Sequence, residues 1–177
     1  MKRLWAGWRM AYVEKAGKTP GCLFCGLAGR KPSPETLVLE KTDDYLIVLN
    51  AFPYNCGHLM VAPLRHRGWM AALGPREQAA VWEGLARCET ALRRAYRPHG
   101  INVGLNLGRP AGAGVVGHVH FHLVPRWNGD TNFMPVVADT RVLPESLDQT
   151  WARLKAALAE GRARPAARPK TKRPTLR

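Results

Sequence analysis

The apolar positions change period twice along the chain. Between residues 36 and 63 they gather in short runs rich in β-branched and aromatic side chains, TLVLE, YLIVLN and HLMVAP. Asp43-Asp44 and the turn-rich NAFPYNCG separate these runs, which predict two or three strands. From Gly74 the period lengthens. Val81, Leu85, Cys88, Leu92 and Tyr96 recur at intervals of four, three, four and four residues, one stripe of a helix. Pro75 suits its first turn, and Pro98 and Gly100 end it. The short period returns in INVGLNLG and HVHFHLVP, with the glycine-rich GRPAGAGVVG between them and Pro125 stopping the second run. A last helix is predicted from Leu143 to Glu160, with Pro144 near its start. Strands, a helix and more strands on short connectors predict an α+β domain. Its sheet is antiparallel with about five strands, accompanied by the long helix and the C-terminal one. Such a sheet can bury one face under a helix and leave the other for a ligand.

Composition bounds this picture. With 177 residues and 46% hydrophobic side chains, the chain fits one domain with a real core, which excludes wholesale disorder. No apolar run reaches the length of about 18 residues that a spanning helix needs, so no membrane partner is expected. The basic N-terminus MKRLWAGWRMAYVEKAGK lacks the continuous apolar stretch of a signal peptide, and a cytoplasmic protein is expected. The net charge is +14, from 27 basic and 13 acidic residues. Half of that excess lies in residues 161–177, GRARPAARPKTKRPTLR, which hold seven basic residues and no acid. This stretch has too little apolar surface to offset its ordering entropy, so residues 1–160 are read as the folded domain and 161–177 as a disordered basic tail. With no aromatic side chain to stack on bases, the tail reads as a solubilising segment ahead of a nucleic-acid arm; nucleic acid stays as an alternative partner.

The chemistry concentrates in H-V-H-F-H. The side-chain period of a strand is two, so His118, His120 and His122 share one face at spacings of about 6.5–7 Å, while Val119, Phe121 and Leu123 point into a core. Three imidazoles in a row are poor filler, because each carries a donor and an acceptor that need partners. Two readings follow: a metal site, or histidine catalysis on a phosphate. Neutral imidazole is a usable nucleophile near pH 7. Its attack on phosphorus would give a covalent phosphoramidate, and a flanking histidine could donate to a phosphate oxygen or to the leaving group. Neighbouring glycines would let backbone N–H groups approach phosphates.

HVHFHLVPRW resembles the signature of the histidine triad (HIT) superfamily of nucleotide hydrolases and transferases, and N-A-F-P-Y-N-C-G-H-L-M-V-A-P-L-R-H resembles another block of it. The likeness spans Cys22 to Met134. LNLGRPAGAGVVGHVHFHLVPRWNGDTNFM is most similar to the bacterial diadenosine tetraphosphate phosphorylase branch. The resemblance implies a HIT-like fold and makes His120 the nucleophile. His122 is then a donor to a non-bridging oxygen or leaving group, and His118 an orienting or metal-binding residue. Asn50, eight residues before His58, matches the ribose contact, and His58 joins it at the substrate. Asn106 and Arg109 sit where phosphate contacts are expected. Gly114 stands where many triad hydrolases carry Gln, and Ala113-Gly114 stands where the phosphorylase branch tends to carry Gly-Ser. The first difference argues against the Gln-type hydrolase, and the second removes a serine contact to phosphate. Homodimers are common among these relatives, and the same is expected here.

Cys22-x-x-Cys25 admits a redox, a metal-binding or an incidental reading. A thioredoxin-like site needs a βαβ context, and none follows. Zinc takes four ligands, commonly two Cys and two His. Zinc-bearing triad relatives resemble this chain in two cysteines, the histidine matching His66, and the first triad histidine, His118. The resemblance therefore implies a structural zinc held by Cys22, Cys25, His66 and His118, and no organic cofactor. Cys88 is expected in the core. The leading function is cleavage of diadenosine tetraphosphate, or a related nucleoside polyphosphate, by phosphate to ATP and ADP through His120. Alternatives are a hydrolase using water, a basic nucleic-acid-binding module, and a protein that binds metal through all three triad histidines. The last is disfavoured because the spacing is too wide for three ligands on one Zn²⁺.

Overall fold

The computed structural model describes residues 21–130 and 144–163. Its elements are α1 (Leu23–Ala28), β1 (Val38–Lys41), β2 (Tyr45–Leu49), β3 (Leu59–Pro63), α2 (Pro75–Tyr96), β4 (Gly100–Leu105), β5 (Phe121–Arg126) and α3 (Leu147–Ala163). The five strands form one antiparallel sheet in the order β1-β2-β3-β5-β4. This is the expected α+β architecture.

Strand alternation divides the sheet into two faces. Tyr45, Ile47 and Leu49 of β2, Leu59 and Val61 of β3, and Leu123 of β5 point to one side. There they meet Val81, Leu85, Cys88, Ala91 and Leu92 of α2, and Leu154, Ala157 and Leu158 of α3. The helical stripe read from the sequence is thus the buried one. At Gly84 a Cβ would come within 3.0 Å of Val61 and 3.1 Å of Tyr45, so glycine lets α2 lie close on the sheet. On the other face Val38, Leu46, Val48, Met60 and Ala62 pack against Phe24 of α1. This face is apolar and covered by the short α1 instead of the two long helices, and Val48 and Met60 on it line a cavity.

Three boundaries differ from expectation. The final helix begins at Leu147, not Leu143. Ser146 holds its first turn, since the Gln149 N–H donates to the Ser146 hydroxyl and the Ser146 N–H to the Gln149 side chain, a capping pair that follows Pro144. Its end is at Ala163, so the first three residues assigned to the tail belong to the helix; residues 164–177 lie outside the described residues. The strand holding the triad begins at Phe121 instead of His118. Pro63, at the end of β3, has no N–H for the ladder, and its carbonyl is taken by the His118 ring; Val119 bonds instead to the carbonyl of Arg67.

Candidate active site and metal centre

The triad rings line up on the open face. His120 and His122 lie 4.9 Å apart between ring centroids, closer than their backbone spacing, and His122 is 5.1 Å from His58. Met60 and Gly104 flank His122 in register on β3 and β4. The turn before β3 brings His58 here. Gly57 takes a positive φ of 78°, and a Cβ there would press within 3.0 Å of Tyr96 and 3.2 Å of Leu92. Asn55 fastens the same turn to the carbonyl of Pro125 and to Asp130, which is also paired with Arg126.

The hydrogen bonds fix the tautomers. His120 Nδ1–H donates to the carbonyl of His118 at 2.8 Å, so the neutral ring carries its lone pair on Nε2. The Tyr54 N–H donates to His58 Nδ1 at 3.1 Å, which puts the His58 hydrogen on Nε2. That hydrogen is donated to His122 Nδ1 at 3.0 Å, leaving the His122 hydrogen on Nε2. One ring thus carries a lone pair and the other an N–H, on rings whose centroids are 4.9 Å apart. Burial holds the pKa of His120 below its usual range despite the bond to the His118 carbonyl. Burial and the neighbouring His120 push His122 down to about 4.

Both rings open onto one cavity with two kinds of wall. Leu23, Phe24, Leu27, Leu37, Val48, Met60 and Val115 supply apolar lining. Asn50, Asn106, His120 and His122 supply polar lining, with Gly112 and Gly114 carrying no side chain over the backbone. An apolar slot beside polar groups suits a flat heterocycle joined to a ribose phosphate. The Asn50 side-chain oxygen accepts from the Phe52 N–H at 2.9 Å, which orients the amide within its turn. Arg109 lies on a short 3-10 turn, Arg109–Ala111, exposed and outside the cavity wall, so the structure does not bring it to the triad.

The second cluster adjoins the first. Ligand atoms of Cys22, Cys25, His66 and His118 all lie within 4.8 Å of one another. Cys22 Sγ is 3.3 Å from His118 Nδ1; Cys25 Sγ is 3.4 Å from His66 Nδ1 and 3.7 Å from His118 Nδ1. Tetrahedral bonds of about 2.3 Å to sulfur and 2.0–2.1 Å to nitrogen give sulfur–nitrogen edges of roughly 3.6 Å, so these separations fit. His118 Nε2–H donates to the Pro63 carbonyl at 2.8 Å, which aims the Nδ1 lone pair at the thiols, the outer-shell arrangement of a metal-ligating histidine. The donor set and these separations are compatible with Zn²⁺, and four protein ligands would leave it no open position. Cys88 is fully buried in the core and Cys56 lies in the Cys56-Gly57 turn; neither joins the cluster.

Sequence reasoning missed α1 and with it Phe24, one of the two residues between the cysteines. Cysteines three apart at the start of a helical turn share a side, and that spacing was the available signal. It also missed the cavity walls Val48 and Met60, although alternation against the core residues Ile47 and Val61 places both on the open face.

A HIT domain model matches residues 31–129. A Mycobacterium tuberculosis protein named AP-4-A phosphorylase is 35% identical over 168 residues, covering 86% of each chain. The chain is a member of the HIT family. This HIT protein also superposes on solved structures. A Zn-bound histidine triad family protein from Mycobacterium smegmatis gives a TM-score of 0.64 at 26% identity, over 81% of this chain and 96% of that one. A histidine triad nucleotide-binding protein from Sulfolobus tokodaii gives 0.65 at 20% identity, over 80% and 94%. As a HIT protein the chain is an enzyme, and its α+β fold is the family fold. The Thr131–Met134 part of the sequence likeness lies outside the described residues. Among the described residues, no helix is long and apolar enough to cross a membrane.

The lowered histidine pKa values predict how stability follows pH. Between the ordinary imidazole pKa near 6.5 and about 4, the unfolded chain takes up a proton at His122 that the native ring refuses. Stability from this group is therefore complete above pH 6.5 and is lost as pH falls toward 4. His118 and His120 are displaced in the same direction. Urea unfolding at pH 7 and pH 5 should show this loss, and His122→Asn should make it shallower; equal losses in both proteins would contradict it.

Proposed function

We propose that this protein cleaves diadenosine tetraphosphate, or a related nucleoside polyphosphate, with inorganic phosphate to give ATP and ADP. The observation that carries the chemistry is that His120, with its Nε2 lone pair, and His122, with its Nε2 hydrogen, line one cavity on rings 4.9 Å apart. The similarity to AP-4-A phosphorylase supports the substrate.

In this reading one adenosine lies against the apolar wall, with Asn50 at its ribose. His120 Nε2 attacks the α-phosphorus and forms an N–P bond as the P–O bond to the β-phosphate breaks and ATP leaves. His122 Nε2–H donates to a non-bridging oxygen or to the departing oxygen, held in register by His58. Inorganic phosphate then attacks the same phosphorus, the N–P bond breaks, and ADP leaves with His120 restored. Asn106 and the bare backbone at Gly114 lie where the phosphates would run. Arg109, exposed on its turn, is read as reaching the outer phosphates only. Cys22, Cys25, His66 and His118 would hold a structural Zn²⁺ that ties α1 to the triad segment.

Product chromatography after incubation with diadenosine tetraphosphate, with and without phosphate, tests the reaction. ATP and ADP formed only when phosphate is present support it; ATP and AMP formed equally without phosphate would make the enzyme a hydrolase.

The basic tail is read as separate from catalysis. Because α3 extends to Ala163, the informative truncation removes residues 164–177. Turnover of the free dinucleotide should be unchanged, and any duplex DNA binding should weaken with a shallower salt dependence. Loss of turnover in a folded truncated protein would place the tail in the site.

A further inference from the structure

Phe24 links the two clusters. Cys25 follows it directly and Cys22 stands two residues before it, both in the four-residue cluster. Its ring lies 5.2 Å from the His118 ring and 4.7 Å from His120, tilted 37° to the latter. It is 1% exposed, packed against both imidazoles on one side and bordering the cavity on another. The His120 ring makes one hydrogen bond to the main chain, Nδ1–H to the His118 carbonyl. A single such bond leaves the imidazole free to rock about the N–H···O axis, and the packed face of Phe24 opposes that rocking. Phe24 in turn rides on α1, six residues long with no side-chain cap at its start. So short a helix does not hold its own geometry and depends on what anchors it. Lys41 bonds to the Ala28 carbonyl at one end, and the two thiols face His66 and His118 at the other.

We propose that Phe24 is a positioning residue for His120, held through Cys25 next to it and Cys22 two residues before it, so that filling of the Cys22/Cys25/His66/His118 centre sets the orientation of the attacking ring. The proposal rests on the reading of His120 as nucleophile. Removing the Phe24 ring should misorient that nucleophile while leaving the four ligands in place. Phe24 also lines the cavity, so loss of wall contact alone would raise KM; loss of orientation lowers kcat.

The test compares the zinc-loaded full chain with Phe24→Leu and Phe24→Met, each checked for zinc content and melting temperature. Long-range ¹H–¹⁵N spectra of histidine-labelled protein report the tautomer and line width of His120 without substrate. Both variants should keep about one zinc per chain. They should show a broadened or tautomerically averaged His120 signal, and lose at least about tenfold in kcat with a smaller change in KM. Chelating zinc from the parent protein should produce the same His120 change, and chelating it from either variant should add little. A sharp, parent-like His120 signal in a zinc-loaded variant overturns the proposal. So does an equal response to chelation with and without the Phe24 ring, because coupling would then run through the backbone from His118. If the parent protein fails to cleave the dinucleotide, the spectra still decide this point, so the two readings fail separately.

Discussion

His120→Ala should fold and bind nucleotide but lose on the order of 10⁴-fold or more in turnover. The ring is 5% exposed at the floor of the cavity, outside the apolar cluster beneath α2 and α3, so its truncation leaves that core intact. Among the described cavity residues, His120 and His122 are the two imidazoles, and only His120 carries its lone pair on Nε2. His122 has its Nδ1 engaged by His58 and a hydrogen on Nε2, and cannot take over without a new tautomer throughout the relay. Steady-state phosphorolysis with thermal melts of both proteins checks this. Turnover within tenfold of the parent in a folded mutant would remove His120 from the chemistry.

Cys22→Ser should carry the second large effect, on stability. If the four side chains hold zinc, the parent protein prepared without added metal should carry about one zinc per chain, and the mutant should lose it. The metal would join the start of α1, the loop after β3 and the segment before β5, which adjoin here through His66, His118 and the two thiols. Its loss should lower the melting temperature by several degrees, because metal affinity is part of folding free energy. A Cys88→Ser control separates this from the loss of any thiol: it should lower stability through the buried hydroxyl while leaving zinc content unchanged. A parent protein free of metal would make Cys22 and Cys25 ordinary thiols.

What could be read from the chain, and what could not, divides by the range of the physics. The stripe from Val81 to Tyr96 is a local period and appears unchanged as the buried side of α2. The alternation in H-V-H-F-H is also local, and it put three imidazoles on one side although only His122 lies within β5 itself. The strand began late because Pro63, fifty-five residues before His118, ends the partner ladder, which is a pairing fact and not a property of the triad segment. The tautomers were hidden for the same reason: a main-chain N–H at Tyr54 and a carbonyl at His118 set them, and neither has a side-chain signature. The ligand set came from likeness to a family, and the fold then brought Cys22 and Cys25 to His66 and His118 across more than forty residues of chain. Arg109 shows the converse. Its place before the triad suggested a phosphate contact near it, while the Gly108–Gly112 turn, with positive φ at both glycines, places it on the surface outside the cavity lining, toward any outer phosphates.

The central claim is that a nucleotidyl group passes through His120. Protein mixed with diadenosine tetraphosphate in the absence of phosphate, quenched in base to spare the N–P bond, should carry one adenylyl group, which peptide mass mapping places on His120. Adding phosphate before the quench should discharge it as ADP. Full-rate cleavage with no adduct on His120 at any time, or an adduct that persists unchanged in His120→Ala, would contradict the account.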